Sequence, residues 1–171
     1  MIKLEAPFKN IEKLKSGDKV LISGKLFVAR DQAHKKLIEY FNENNKFPID
    51  INLMGIYYAG PSPNKPNEII GSIGPTTSGR MDKYTPILLN NGLKVMIGKG
   101  NRDKSVIESI IKNKCVYIGV TGGIGALISK CIKNQKIIAY PELKAEALRE
   151  IHVEDFPGIV IIDANGNNLY D

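Results

Sequence analysis

The stretch Lys19-Val20-Leu21-Ile22-Ser23-Gly24-Lys25-Leu26-Phe27-Val28-Ala29-Arg30-Asp31-Gln32-Ala33-His34 decides how this chain is read. Its first part is rich in β-branched, aliphatic and aromatic residues and predicts two strands, Lys19–Ser23 and Lys25–Ala29, with Gly24 as a bulge or tight bend between them. The period then changes. Ala33, Leu37, Ile38 and Phe41 fall on one face at helical spacing, so Gln32 to Asn42 predicts a helix with Asp31 as its N-cap. Arg30 stands where a strand hands over to a helix N-terminus, a junction that commonly faces ligands in α/β proteins. His34, in the first turn, reads as a structural hydrogen-bonding residue.

The same alternation continues outward. Gly55–Ala59 predicts a buried strand, the proline-rich run Gly60–Pro66 an exposed loop, and Ile69, Ile70 and Ile73 a short strand. Thr85-Pro86 supplies a cap and a first-turn proline for a helix that stops at Asn91-Gly92. Lys94–Gly98 is a strand, and Asp103 caps a helix that turns Val106, Ile107, Ile110 and Ile111 inward. Val116–Val120 predicts a strand that enters Thr121-Gly122-Gly123-Ile124-Gly125 and a helix through Lys130. Ile137–Tyr140 reads as a strand and Ala145–Glu150 as a short helix, followed by a hairpin of Gly158–Asp163 and Asn168–Tyr170 around Asn165-Gly166. Strands alternating with helices give an α/β class with a mixed sheet, and the lack of repeats or linkers gives one domain over residues 1–171.

At 43% hydrophobic and 25% charged residues, disorder is not the expectation. No stretch approaches the roughly 20 apolar residues that span a bilayer, and Met1–Pro7 lacks an apolar leader segment, so no membrane association and a cytoplasmic location are expected. Cys115 and Cys131 lack the spacing of a metal motif, and an iron–sulfur cluster normally takes three or four thiolates, so no metal site is expected in this chain. The net charge of +6 admits an anionic partner. The lysines are dispersed, however, and no aromatic strand accompanies them, which argues against nucleic acid.

The run Gly74-Pro75-Thr76-Thr77-Ser78-Gly79-Arg80-Met81-Asp82 cannot be a regular helix or strand. Its hydroxyls and guanidinium suit an anionic oxygen-rich ligand, although Ser, Thr and Gly clusters are also ordinary loop material. Polar turns after Ala29, Ile73 and Gly98 carry Arg30, Arg80 and Lys99, and if they converge they form a pocket for a dicarboxylate. The Gly122 turn resembles a phosphate or carboxylate cradle, and tight strand–helix packing explains it equally well.

Taken together, Ala29-Arg30-Asp31-Gln32-Ala33-His34, Gly74–Asp82, Lys99-Gly100-Asn101-Arg102, Gly122-Gly123 and Val153-Glu154-Asp155-Phe156-Pro157 resemble the β subunit, or C-terminal domain, of class I iron–sulfur fumarate hydratases and the related L-tartrate dehydratases. The resemblance implies a swivelling β/β/α domain that works with a separate α subunit, typically as an α2β2 heterotetramer. That α subunit would carry a four-iron four-sulfur cluster, and the substrate would be a small dicarboxylate. It implies reversible dehydration of (S)-malate to fumarate, with Thr76 as the base or as a hydrogen-bonding guide, and Arg30, Thr77, Arg80 and Lys99 on the substrate. Many members carry Ala at the position of Ser78. Other classes left open are an anion- or nucleic-acid-binding module and a nucleotide-binding enzyme built on Gly122–Gly125.

Overall fold

In the computed structural model, which describes residues 1–121 and 123–171, Lys19–Val28 forms one strand rather than two. Its register against the last strand shifts between Ile22 and Gly24, so the expected bulge is present and bends the strand without ending it. The described residues form β1 (Ile2–Glu5), β2 (Lys19–Val28), α1 (Asp31–Asn44), β3 (Gly55–Tyr57), α2 (Thr85–Asn90), β4 (Val95–Gly98), α3 (Lys104–Asn113), β5 (Val116–Gly119), α4 (Gly125–Cys131), β6 (Ile132–Ala139) and β7 (Leu148–Ile162). Short 3-10 segments lie at Ile11–Lys13, Ser78–Met81 and Pro141–Glu146, the last broken by a kink at Lys144. Among the described residues, no helix is long and apolar enough to cross a membrane.

The sheet is mixed, as expected, and it closes. β1 pairs in parallel with the first half of β2, and β3 pairs in parallel with the end of β2 at Phe27–Val28. Parallel pairing then runs from β3 to β4 and from β4 to β5. β7 lies antiparallel to β2 over Arg149–Ile159, and its far end pairs with β5 while its near end also takes β6. The ring β2–β3–β4–β5–β7 is therefore a small barrel, with β1 and β6 as flanking strands.

Alternation along the strands sorts the side chains into two cores. Val20, Ile22, Leu26, Val28, Tyr57, Ile97, Val116, Ile118, Val153, Phe156 and Val160 pack together inside the ring. Their neighbours Phe27, Ile56, Tyr58, Met96, Tyr117 and Ile161 face outward, where Ala33 and Leu37 of α1, Leu88 of α2, and Val106 and Ile110 of α3 cover them. Each fully buried aliphatic side chain contributes about 1.5–3 kcal/mol.

Several local expectations change. Asp31 does not cap α1: Arg30 holds the cap position with extended backbone and no side-chain cap bond, because the Asp31 carboxylate is turned to Arg80 instead. Thr85 is likewise the first helical residue, and Tyr84 precedes it. Ile69, Ile70 and Ile73 make no strand. There the chain is held by Ser62 N–H donating to Ser72 O at 2.9 Å, and by a contact of Gly71 with Ser62 that leaves no room for a side chain. Of the expected Ala145–Glu150 helix, only Ala145 and Glu146 are helical, at the end of a 3-10 segment. Leu148 begins the long β7, whose pairing with both β2 and β6 overrides a locally helical composition. The terminal hairpin reduces to one bridge, Ile162 with Asn168, around Asp163, whose carboxylate accepts from the Asn165 and Asn167 amides. Asp103 does cap α3, accepting from Val106 N–H at 3.0 Å.

Candidate active-site edge

Because β2, β3 and β4 run parallel, their C-terminal ends lie on one edge of the barrel, the edge where open α/β sheets bind ligands. Arg30 follows β2 and Lys99 follows β4 directly. The Gly74–Asp82 turn is stitched between them by backbone bonds: Thr76 N–H donates to Tyr58 O at 2.7 Å, just past β3, and Ser78 N–H donates to Lys99 O at 2.9 Å. Two isolated bridges, Ala59 with Pro75 and Thr77 with Lys99, hold the same arrangement. The three expected turns thus converge. Thr76 is half-buried, while Thr77, Arg80 and Lys99 are exposed.

Each arginine has an acidic companion. Arg80 Nη2 and Nε lie 2.8 and 3.0 Å from Asp31 Oδ2, which ties the serine–threonine turn to the start of α1. The Asp31 Oδ1 atom is buried without a hydrogen-bond partner. Arg30 Nε lies 3.8 Å from Glu146 Oε1 and is itself buried without a hydrogen bond. Arg30 packs over Gly60, where a Cβ would sit 2.8 Å from Arg30 Nη1. Lys99 has no ion-pair partner among the described residues. The edge is therefore cationic, but less so than three bare side chains would make it.

Below the edge lies a polar layer that sequence reasoning missed. Arg102 is 7% exposed, and its Nε donates to Asp82 Oδ1 at 2.7 Å while Nη2 reaches Tyr58 OH at 3.2 Å and Thr85 Oγ1 at 3.1 Å. The guanidinium lies between the rings of Tyr58 and Tyr117, 5.2 and 4.8 Å from their centroids. Burial alone would lower its pKa, but Tyr58 and Asp82 overcome that and hold it above the usual arginine value. The Tyr117 hydroxyl is 2.8 Å from both Gly100 O and Ser78 Oγ; a carbonyl can only accept, so the tyrosine donates to Gly100 and accepts from Ser78. Ser78 is therefore a buried, bonded residue, not a neutral replacement for alanine. Both ends of the buried ion pair belong to motifs legible in the sequence, but only the charge and not the burial is.

His34 behaves as scaffold. Its Nδ1–H donates to Arg30 O at 2.7 Å, and burial pulls its pKa down to about 4, so the ring is neutral at pH 7. Thr121 and Gly123–Gly125 follow β5 at the same edge, and Gly122 lies outside the described residues. Gly125 O accepts from Ile73 N–H at 3.2 Å, and a Cβ on Gly125 would sit 2.7 Å from Gly74 N. Close packing against the Gly74 turn accounts for Gly125.

The thiols do not share a site. Cys115 sits in the helix-side core, pushed up to about 12 by burial and donating to Leu93 O at 3.2 Å. Cys131 packs against the barrel core, beside Asp155 O at 3.8 Å. Among the described residues, no group of three or more His, Cys, Asp or Glu side chains is placed to hold a metal ion. An iron–sulfur cluster thus does not fit this chain's own residues. Of three clefts on the described residues, the widest, about 610 Å³, lies between the Ser62–Ser72 loop and α4, and none of the three is lined by Arg30, Thr76, Arg80 or Lys99.

The family described as Fumarase C-terminus matches residues 1–171. The chain belongs to that family. It is 40% identical over 156 residues to fumarate hydratase 2 of Leishmania major, covering 90% of this chain and 28% of that protein. It is 40% identical over 151 residues to the anaerobic class I fumarate hydratase of Escherichia coli, covering 87% of this chain and 28% of that one. The putative L(+)-tartrate dehydratase subunit beta of Methanocaldococcus jannaschii is 38% identical over 169 residues, covering 95% of this chain and 87% of its own length. The chain of this fumarase C-terminus member thus spans little more than a quarter of those fumarate hydratases, but nearly the whole of the named β subunit.

Proposed function

We propose that this chain is the β subunit of a class I fumarate hydratase, interconverting (S)-malate and fumarate with a separate α subunit, as an α2β2 assembly. The observation that carries the reading is the stitched edge: Thr77 bridged to Lys99, and Arg80 held by Asp31 beside Arg30. An exposed cationic edge is what half of an active site looks like before its other half is added. In this reading the four-iron four-sulfur cluster belongs to the α subunit and supplies Lewis-acid assistance to the departing hydroxyl.

This chain's share is binding and proton handling. Arg80 uses Nε and Nη2 on Asp31 and keeps Nη1 for a substrate carboxylate, while Lys99 adds an ammonium that no carboxylate among the described residues claims. Arg30 holds the second carboxylate from the first turn. Thr76 takes the proton from the carbon next to the one losing hydroxide, and the elements of water leave. A threonine hydroxyl is a poor base, so the cations beside it must stabilise the alkoxide.

A second reading, the β subunit of an L-tartrate dehydratase, is favoured by the length match to the Methanocaldococcus relative. Anaerobic co-expression with a cluster-bearing α subunit separates the two through the products from malate, tartrate and methyl-substituted dicarboxylates. Saturable fumarate hydration by the assembly and not by either chain alone is expected. Thr76→Ala should lower kcat by about 100-fold or more while the subunits still associate. Near-normal turnover of that variant would remove Thr76 as the base.

A further inference from the structure

We infer that Arg102 and Tyr117 are positioning residues that set the Thr76–Arg80 turn against the Lys99 turn; the inference deepens the hydro-lyase reading and rests on it for the kinetic part alone. The two catalytic turns share only main-chain bonds at the surface: the Ser78 amide to Lys99 O, and the Thr77–Lys99 bridge. Beneath them, Tyr117 of β5 grips both at once, Ser78 in the first turn and Gly100 in the second, each at 2.8 Å. Arg102 ends the second turn and clamps the end of the first through Asp82 Oδ1, while Asp82 Oδ2 accepts from the Asp103 amide at 2.8 Å. The same guanidinium reaches Tyr58, whose carbonyl receives the Thr76 amide. The buried contacts between the two turns thus run through one guanidinium and one tyrosine hydroxyl.

Chemistry selects arginine here. Four contacts leave the guanidinium, to Asp82, Met96 Sδ, Tyr58 and Thr85, and its central carbon lies 5.2 and 4.8 Å from the Tyr58 and Tyr117 ring centroids. A lysine ammonium keeps the charge opposite Asp82 but cannot keep the fan of donors. Tyr117→Phe keeps the ring beside Arg102 and removes only the link between the turns.

Two measurements decide it. In the full chain alone, hydrogen exchange of the Thr76 and Ser78 amides should quicken about tenfold or more in Arg102→Lys and in Tyr117→Phe, with the Ile97 and Ile118 amides still protected. In the assembly with an α subunit, kcat per folded molecule should fall about 30- to 100-fold while KM moves less than about threefold. Unchanged exchange at Thr76 and Ser78, uniform quickening across β4 and β5, or an activity loss that merely tracks the unfolded fraction would each overturn the inference. If Arg102→Lys does not fold, Tyr117→Phe decides alone. If the unsubstituted assembly turns over neither fumarate nor tartrate, the functional reading fails, and the exchange result still stands or falls by itself.

Discussion

His34 shows how one buried side chain at the edge couples stability to pH. Its ring is fully enclosed, with Tyr58 edge-on at 5.5 Å and Tyr84 stacked at 6.0 Å, and Nε2 has no hydrogen-bond partner. Folding lowers its pKa from 6.5 to about 4, chiefly by burial, so the unfolded chain binds the proton more readily. The neutral ring's contribution is complete above pH 6.5 and drains as the pH falls towards 4, by roughly 3 kcal/mol in all. Urea midpoints of the full chain should therefore drop across that window, and His34→Gln should flatten the drop. A slope unchanged by the substitution would move the effect to other groups. Asp31 and Arg80 differ in kind: the arginine side chain is 50% exposed, and such a pair contributes at most about 1 kcal/mol. Its value lies in aiming a guanidinium.

At the scale of elements, the turns hold because their neighbours give up side chains. A Cβ on Gly98 would collide with Ser78 Oγ and come within 2.8 Å of Tyr58 Cδ2, so the last residue of β4 must be bare for the Thr76–Arg80 turn to lie against it. Gly98→Ala should cost about 1–3 kcal/mol by overpacking and displace the Ser78 amide from Lys99 O. Gly79→Ala is the control for stability, since its Cβ would find Asn101 O at an ordinary 3.5 Å. Equal melting temperatures for the two variants would refute the packing argument. This scale also shows where sequence reasoning reaches. β2, β4, β5, α1 and α3 announce themselves through local period, and the turns that carry Arg30 and Lys99 could be placed at strand ends for that reason, whereas the strand expected before Gly74 is absent. The carboxylate beside Arg80 comes from a different motif, and nothing local marks Asp31 as its partner instead of a helix cap. The burial of Arg102 is not legible in the Lys99–Arg102 turn because it is decided by Tyr58 and Tyr117, which are distant in the chain.

For the whole molecule, the long final strand decides the closure, and it is the element least visible in the sequence. Leu148-Arg149-Glu150-Ile151 has a composition a helix would accept, and only its pairing to β2 and β6 makes it a strand. The Val153–Pro157 run takes part in this closure. Asp155 N–H donates to Ser23 Oγ at 3.1 Å beside the β2 bulge, and Phe156 points into the ring, edge-on to Tyr57 at 5.0 Å. Phe156 is fully buried, and replacing such a ring by alanine costs about 3–5 kcal/mol. For a chain of this size that lowers Tm by roughly 6–20 °C. Leu127, 60% exposed on α4, should change stability by no more than about 0.5 kcal/mol when cut to alanine. Calorimetry of Phe156→Ala and Leu127→Ala tests the seam: because β7 closes the ring far from Thr76 in sequence, the first variant should unfold earlier as a single cooperative transition. A separate early transition confined to β6 and β7 would mean that the barrel does not close as one unit.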